Sequence, residues 1–335
     1  MWWILFVRNA QRVAAGLLIL VNAILLYCIL CKTKNKLAKL PYFIGLSCGL
    51  GVLLNLTSVL LSTNYYSNKT STAVFTTMNI FNLPASAMTV LLCVQNSIGF
   101  MQRSLLTVQI LYRAMFMNDY AKLYKWFGEG RWTHWFLSII LVSVIDGFIF
   151  FFCGPYMEAG RTDHFADEIR EFFGFNKTDP VYFARIKLYG EDAIAKFGFV
   201  IHHMITLIVF FMMLAFAAYN LYRSHHKTKD LMNHSQLQKI LLRKLLLQII
   251  PIFALNYLPI FYNLLTVVSQ INIGLVSDIG GLTFVLYPIV ESCLNLYLIE
   301  QYKHCILGVL RSARATVTPY NTFGTSSHPN HIVLY

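Results

Sequence analysis

VAAGLLILVNAILLYCILC, residues Val13–Cys31, followed at once by KTKNKLAK, residues Lys32–Lys39, decides how this chain folds. The first string holds no charge and one amide, Asn22. In hydrocarbon no water can satisfy backbone N–H and C=O groups. A run of about 20 apolar residues must therefore close its hydrogen bonds internally as a helix. The basic block behind it marks one face of the membrane, because Lys and Arg collect on the cytoplasmic side. A soluble chain carries about twice the 13% charged residues found here, and 57% of this one is hydrophobic.

Six further runs read the same way: Tyr42–Leu61, Met88–Tyr112, Trp135–Cys153, Phe197–Tyr219, Leu245–Val268 and Ile279–Ile299. The third is interrupted by Gln95, Asn96, Gln102, Arg103 and Gln109. The expectation is an all-α membrane protein, a bundle of seven transmembrane helices over residues 1–302, with a tail over 303–335. Met1–Arg12 is too short for a cleavable signal, so the first span is expected to act as a signal anchor.

With the N-terminus outside and the C-terminus inside, the inner segments hold 17 Lys and Arg against four acids. The outer segments hold nine of each, and Arg103, Asp146 and Glu291 lie within spans. The net charge of +12 thus reports topology and contact with anionic inner-leaflet lipid, and no nucleic-acid partner is expected from it. Two sequons, at Asn68 and Asn176, both fall in outer loops and mark candidate glycosylation sites. The outer segment Gly154–Lys196 is long and acidic; it reads as either a folded lid or a solvated loop. After Arg314 the tail is rich in Thr, Ser, Asn and Pro.

Cys93 and Cys153 both fall near the outer surface, where a disulfide is geometrically possible. Cys305 sits just past the seventh span and is a palmitoylation candidate. No His/Cys spacing resembles a metal site, and no cofactor is expected. Residues 303–311 place Ile306, Leu307, Val309 and Leu310 between cations, a pattern for a short amphipathic helix on the inner surface.

Inside spans, unpaired charge is expensive. Arg103 lies ten residues above Arg113 and Asp146 eleven above Trp135, about 15 and 16 Å at 1.5 Å per residue. An Arg103–Asp146 ion pair is therefore expected, as a static tie or as a switch. In the outer half, Gln95, Asn96, His202, His203, Tyr262 and Asn263 are the inward polar candidates for binding a small molecule, with helix–helix hydrogen bonding as the other reading.

The inner ends of the spans carry a resemblance. The third span ends Ser104-Leu105-Leu106-Thr107-Val108-Gln109-Ile110-Leu111-Tyr112-Arg113. The sixth is entered through Ser235–Pro251, which contains Gln248-Ile249-Ile250-Pro251. The seventh closes with Tyr287-Pro288-Ile289-Val290-Glu291, then Ile299-Glu300-Gln301-Tyr302-Lys303. Together, over Ser104–Lys303, these resemble the nematode serpentine chemoreceptors of the Str superfamily, which are G-protein-coupled receptors. Ala114, Glu291 and Lys303 stand where that family usually has Tyr, Asp and Arg.

The resemblance implies a chemoreceptor for an external small molecule, an odorant or metabolite, coupled to a heterotrimeric G protein, and no enzymatic chemistry. It implies G-protein contact at Tyr112, Arg113, Lys239, Arg243 and Lys244. It implies activation roles for Pro251, Tyr287, Pro288, Glu291 and Tyr302, and the plasma membrane, specifically sensory cilia, as location. Oligomeric state is left open. The alternative is a ligand-gated channel or transporter; insect-type odorant channels run with the N-terminus inside, opposite to the basic bias here.

Overall fold

The computed structural model describes residues 2–32, 40–118, 125–128, 130–153, 164–229, 247–271, 274–299 and 302–304. Among them, seven long helices form the expected bundle: α1 (Trp2–Lys32), α2 (Leu40–Leu61), α3 (Ala85–Asn118), α4 (Trp132–Phe152), α6 (Ala193–Lys229), α7 (Leu247–Val268) and α8 (Gly274–Leu298). A short helix, α5 (His164–Phe173), and three strands, β1 (Asn64–Ser67), β2 (Ser71–Thr76) and β3 (Tyr182–Lys187), build a cap over one end.

Six of the long helices are apolar enough to cross a membrane by composition alone. The exception, α3, is the central post, packed against α2, α4 and α6. Gln95, Gln102 and Gln109 recur every seventh residue, about two helical turns, so they fall on one stripe, and all three are buried. Gln95 donates to the hydroxyls of Ser58 (2.7 Å) and Thr63 (2.8 Å), and Gln109 to the Phe43 carbonyl (3.1 Å). The polar residues that lower α3's hydropathy thus zip it to α2. Lipid meets the other surfaces, and Leu141 on α4 is 61% exposed there.

Prolines and glycines set the close approaches. Pro259 has no N–H to give the carbonyl of Leu255 four residues earlier. A π-helical turn, Phe253–Tyr257, sits there, and Thr283 Oγ1 of α8 donates to the freed Leu255 oxygen at 2.8 Å. A Cβ on Gly280 would stand 2.9 Å from Pro259, and one on Gly51 would stand 2.9 Å from Pro288, so only glycine lets those helices touch.

The first helix begins at Trp2, eleven residues before the run read from hydropathy. Arg8 and Arg12 interrupt the apolar run but not the helix, whose added turns carry Trp3 and Ile4 into the cap. The cap sheet is antiparallel, in the order β1-β2-β3, with Tyr65 opposite Val74 and Ala73 opposite Arg185. Since β3 comes from the long segment between α4 and α6, that segment is a folded lid over residues 164–187. Its core joins Tyr66, Ala73 and Phe75 to Phe165, Ile169 and Phe173 of α5.

Candidate functional site

Two polar layers cross the bundle, and the first lies at the end opposite the cap. There Arg113 on α3 donates from Nη2 to Asn295 Oδ1 of α8 at 2.8 Å and lies beside Glu291, one helical turn earlier on α8. Glu291 accepts from Ser47 Oγ of α2 at 2.7 Å. Ser292 donates to Asn22 Oδ1 (2.6 Å), and Asn22 donates to the Cys48 carbonyl (3.2 Å), which brings in α1. Three spans, α1, α2 and α3, are thus fastened to α8 by its side chains within two turns. A cavity of about 20 Å³, room for about one water, lies between Arg113, Glu291, Tyr287 and Gln248.

The second layer lies nearer the cap. Asp146 on α4 is fully buried, with Oδ1 2.6 Å from His202 Nδ1 on α6 and Oδ2 accepting from Asn96 on α3 at 3.2 Å. His203 Nδ1 lies 2.9 Å from the Phe199 carbonyl, a bond within α6. Above this layer, Asp278 of α8 accepts from Trp3 Nε1 (2.7 Å) and from the Tyr65 backbone N–H (2.9 Å). That carboxylate pins the hairpin β1–β2 to the bundle. Burial and the nearby Asp278 push the Tyr65 hydroxyl up to about 12, against the pull of Arg103, so it stays neutral.

Several expectations are corrected. No Arg103–Asp146 ion pair forms. Equal distance from the inner ends did not give equal height, because how far α3 and α4 slide along one another is set by their packing and not by where each helix begins or stops. Gly147 packs on Ser97, so Asp146 stands level with Asn96, two turns capward of Arg103, and His202 takes its second oxygen. Cys93 and Cys153 are both free thiols. Cys93 backs onto Gly147, whereas Cys153 lies six residues further along α4 against Gly198 of α6. Tyr112 is buried, its ring 5.5 Å from Phe43 and 5.1 Å from Phe127, and offers no surface to a partner.

Asn68 is 8% exposed and structural: its Oδ1 accepts from the backbone and hydroxyl of both Thr70 and Ser71, and its Nδ2 donates to Glu168 at 2.8 Å. A glycan there would have to fit on an Nδ2 that is enclosed between its turn and Glu168. Asn176 is exposed.

Of the small-molecule candidates, Asn96, His202 and His203 are engaged in the ties just described, and Gln95 is engaged through Nε2 while its Oε1 is buried and unbonded. Asn263 is buried with Oδ1 unbonded, and Tyr262 is half-buried. None of the six lines the two lateral grooves, of about 420 and 350 Å³, that open beside α3 and α4. Pro251 lies in the first turns of α7; Tyr287 and Tyr302 are buried around Arg113. Lys239, Arg243, Lys244, Cys305 and the expected amphipathic helix fall outside the described residues, apart from 303 and 304. Sequence reasoning missed Asn295 and Ser47. Asn295 is one turn beyond Glu291 and shares its face, a spacing that was available.

The whole-chain comparison now decides the family. The model of the serpentine type 7TM GPCR chemoreceptor Str matches residues 7–307. The chain belongs to that family. It is 22% identical to the G-protein coupled receptor str-33 of Caenorhabditis elegans over 311 residues, 89% of this chain and 90% of that one. The bundle is therefore that of a nematode Str receptor, a multi-pass membrane protein of the GPCR class.

Proposed function

We propose that this Str receptor detects an external small molecule and transmits its binding to a heterotrimeric G protein at the plasma membrane. The observation that carries this reading is the Arg113 layer. A half-buried cation on the central helix is held by Asn295 and lies beside Glu291 of α8, at the end opposite the cap. Networks of this kind have discrete alternative pairings, so they can switch between two packings rather than deform gradually. A ligand that favours the packing with Arg113 released shifts the population by its differential affinity for the two.

The excess of basic residues in the connections at the Arg113 end supports placing that end and the tail from residue 303 in the cytoplasm. The cap, with exposed Asn176, then faces outside. Lys239, Arg243 and Lys244, in the sequence that joins α6 to α7, add positive charge for an acidic partner surface. Pro251, Pro259 and Pro288 weaken the ladders of α7 and α8 and supply pivots.

The test is G-protein activation in cells expressing the wild type and Arg113→Ala, challenged with pooled odorants and metabolites while surface expression is followed. Ligand-dependent activation in the wild type, reduced at least about tenfold in the variant at equal surface expression, is expected from loss of a charge-assisted contact. A ligand-evoked current without G-protein signal replaces this reading with the channel.

A further inference from the structure

Arg103 is the residue whose surroundings the family reading does not explain. It is 7% exposed in the middle of the bundle. Its guanidinium stands 5.6 Å from the ring centres of both Phe100 and Phe284. Nη1 lies against Gly99, 3.7 Å from where a Cβ there would be. Nε is buried without a hydrogen-bond partner, and among the described residues no acceptor bonds the other two nitrogens. Nearby, Tyr257 Oη is also buried and unbonded.

The carboxylates that could neutralise it are all engaged elsewhere. Asp146 is held by His202 and Asn96, Asp278 by Trp3 and Tyr65, and Glu291 by Ser47. A guanidinium held away from water with no counter-ion costs several kcal/mol. The bonds that Asp146 makes to His202 and Asn96 keep it from pairing directly with Arg103, so its charge relieves that cost only in part and at a distance. Above the guanidinium sits the Tyr65 side chain of the cap hairpin, its ring 5.6 Å from Phe284 and packed on Gly281.

We propose that Arg103 is the anion-recognition residue of the receptor's ligand site, and that the ligand is a small organic acid. Its carboxylate would take the unused fork of the guanidinium, and its apolar body would lie among Phe100, Phe284 and Tyr65. Arg suits this role because its planar donors match a carboxylate two at a time. A neutral ligand leaves the charge unpaired, so the site discriminates acids from their amides. Ligand entry requires the Tyr65 ring to move, which couples the pocket to the hairpin and through Asp278 to α8. The proposal rests on the reading of this chain as a small-molecule receptor.

The experiment uses the full chain purified into lipid nanodiscs, with benzoate, phenylacetate and hexanoate as probes, each against its primary amide. Thermal unfolding of the wild type, Arg103→Gln and Arg103→Lys is followed, and G-protein activation by the same probes is read in cells. An acid is expected to raise the wild-type melting temperature where its amide does not. Arg103→Gln is expected to weaken that binding at least about tenfold, with Arg103→Lys keeping part of it.

Equal stabilisation by acid and amide, retained acid binding in Arg103→Gln, or no shift with any acid overturns the proposal. If Arg103→Gln does not fold, the acid-to-amide difference in the wild type and Arg103→Lys decides. Acid binding without G-protein activation leaves the anion site standing and sinks the signalling reading. Activation by neutral odorants alone, equal in Arg103→Gln, does the reverse.

Discussion

The cap and the bundle are held together by opposite means. In the cap, rings and aliphatic chains gather inward: Phe173 packs on Tyr66 at 6.1 Å and on Phe75 at 5.2 Å, and the Arg185 guanidinium covers Phe165 at 4.4 Å. That is the packing of a water-soluble miniature domain, driven by removal of apolar surface from water. In the bundle the large apolar side chains Val13, Leu20, Leu30 and Leu141 point outward, and the interior, which keeps apolar clusters around Leu25, Phe43 and Phe210, is threaded with Asn22, Ser47, Gln95, Asp146 and Asn295. Lipid tails are as apolar as leucine, so burying leucine between helices gains little there, and hydrogen bonds and close glycine contacts take over. One chain therefore follows two packing rules, and the boundary falls where Asp278 takes the Tyr65 N–H.

The largest test of that division is a pair of truncations. Phe173→Ala removes a ring that is 5% exposed, and by the usual cost of emptying a core it destabilises the cap by about 3–5 kcal/mol. Leu141→Ala removes a side chain of similar character from the lipid face and is expected to change stability by no more than about 0.5 kcal/mol. Limited proteolysis of cap segments in proteoliposomes, read beside helical circular dichroism, checks both. Cap cleavage at unchanged helicity is expected for Phe173→Ala alone. Simultaneous loss of helicity would mean that cap and bundle are one cooperative unit, and the contrast would fall.

The middle-sized test turns to polar ties. Asp146→Asn keeps the shape but removes the charge that His202 meets, and a cost of about 1–2 kcal/mol is expected from interhelical hydrogen bonds measured in membranes. Glu168→Gln in the cap, which weakens acceptance from Tyr66 Oη at 2.9 Å and from Asn68, is expected to cost about 1 kcal/mol, with water available to compensate. Thermal unfolding of each single variant and of Asp146→Asn with His202→Asn gives the coupling. A coupling near zero would remove Asp146–His202 as a structural tie.

How much of this was readable beforehand follows the same division. Spans are legible because the bilayer imposes one length and one composition. The location of the inner site was legible too, since Arg113, Tyr287 and Glu291 carry the family resemblance. The partner of Asp146 was not. Depth along a helix can be counted from its ends, but both the relative height and the rotation of neighbouring helices are fixed by packing such as Gly147 on Ser97. The hairpin had a signal that was passed over: Tyr65, Tyr66, Thr72, Val74 and Phe75 are strand formers around an Asn68-Lys69-Thr70 turn. The membrane pattern on either side made that stretch read as a plain loop.

The smallest expected effect separates two asparagines that the sequence made equivalent. Asn176 is exposed and tied through its backbone: its N–H donates to Asp179 Oδ2 at 2.8 Å and its carbonyl accepts from the Asp179 N–H at 3.0 Å. Asn68 is closed inside its turn with every side-chain atom engaged. Expressed in a glycosylating cell, the wild type is expected to show a glycosidase-sensitive band that Asn176→Gln loses and Asn68→Gln keeps, with little change in stability from Asn176→Gln. Asn68→Gln instead loosens the turn, because the longer side chain cannot bridge Thr70, Ser71 and Glu168 together. A glycan lost only in Asn68→Gln would mean that modification precedes formation of this turn. The cap would then have to fold around a sugar, and its packing against Glu168 would not survive in the mature protein. Absence of any glycan on Asn176 would turn the argument on orientation, since the cap end would no longer be marked as the outer one by anything but charge.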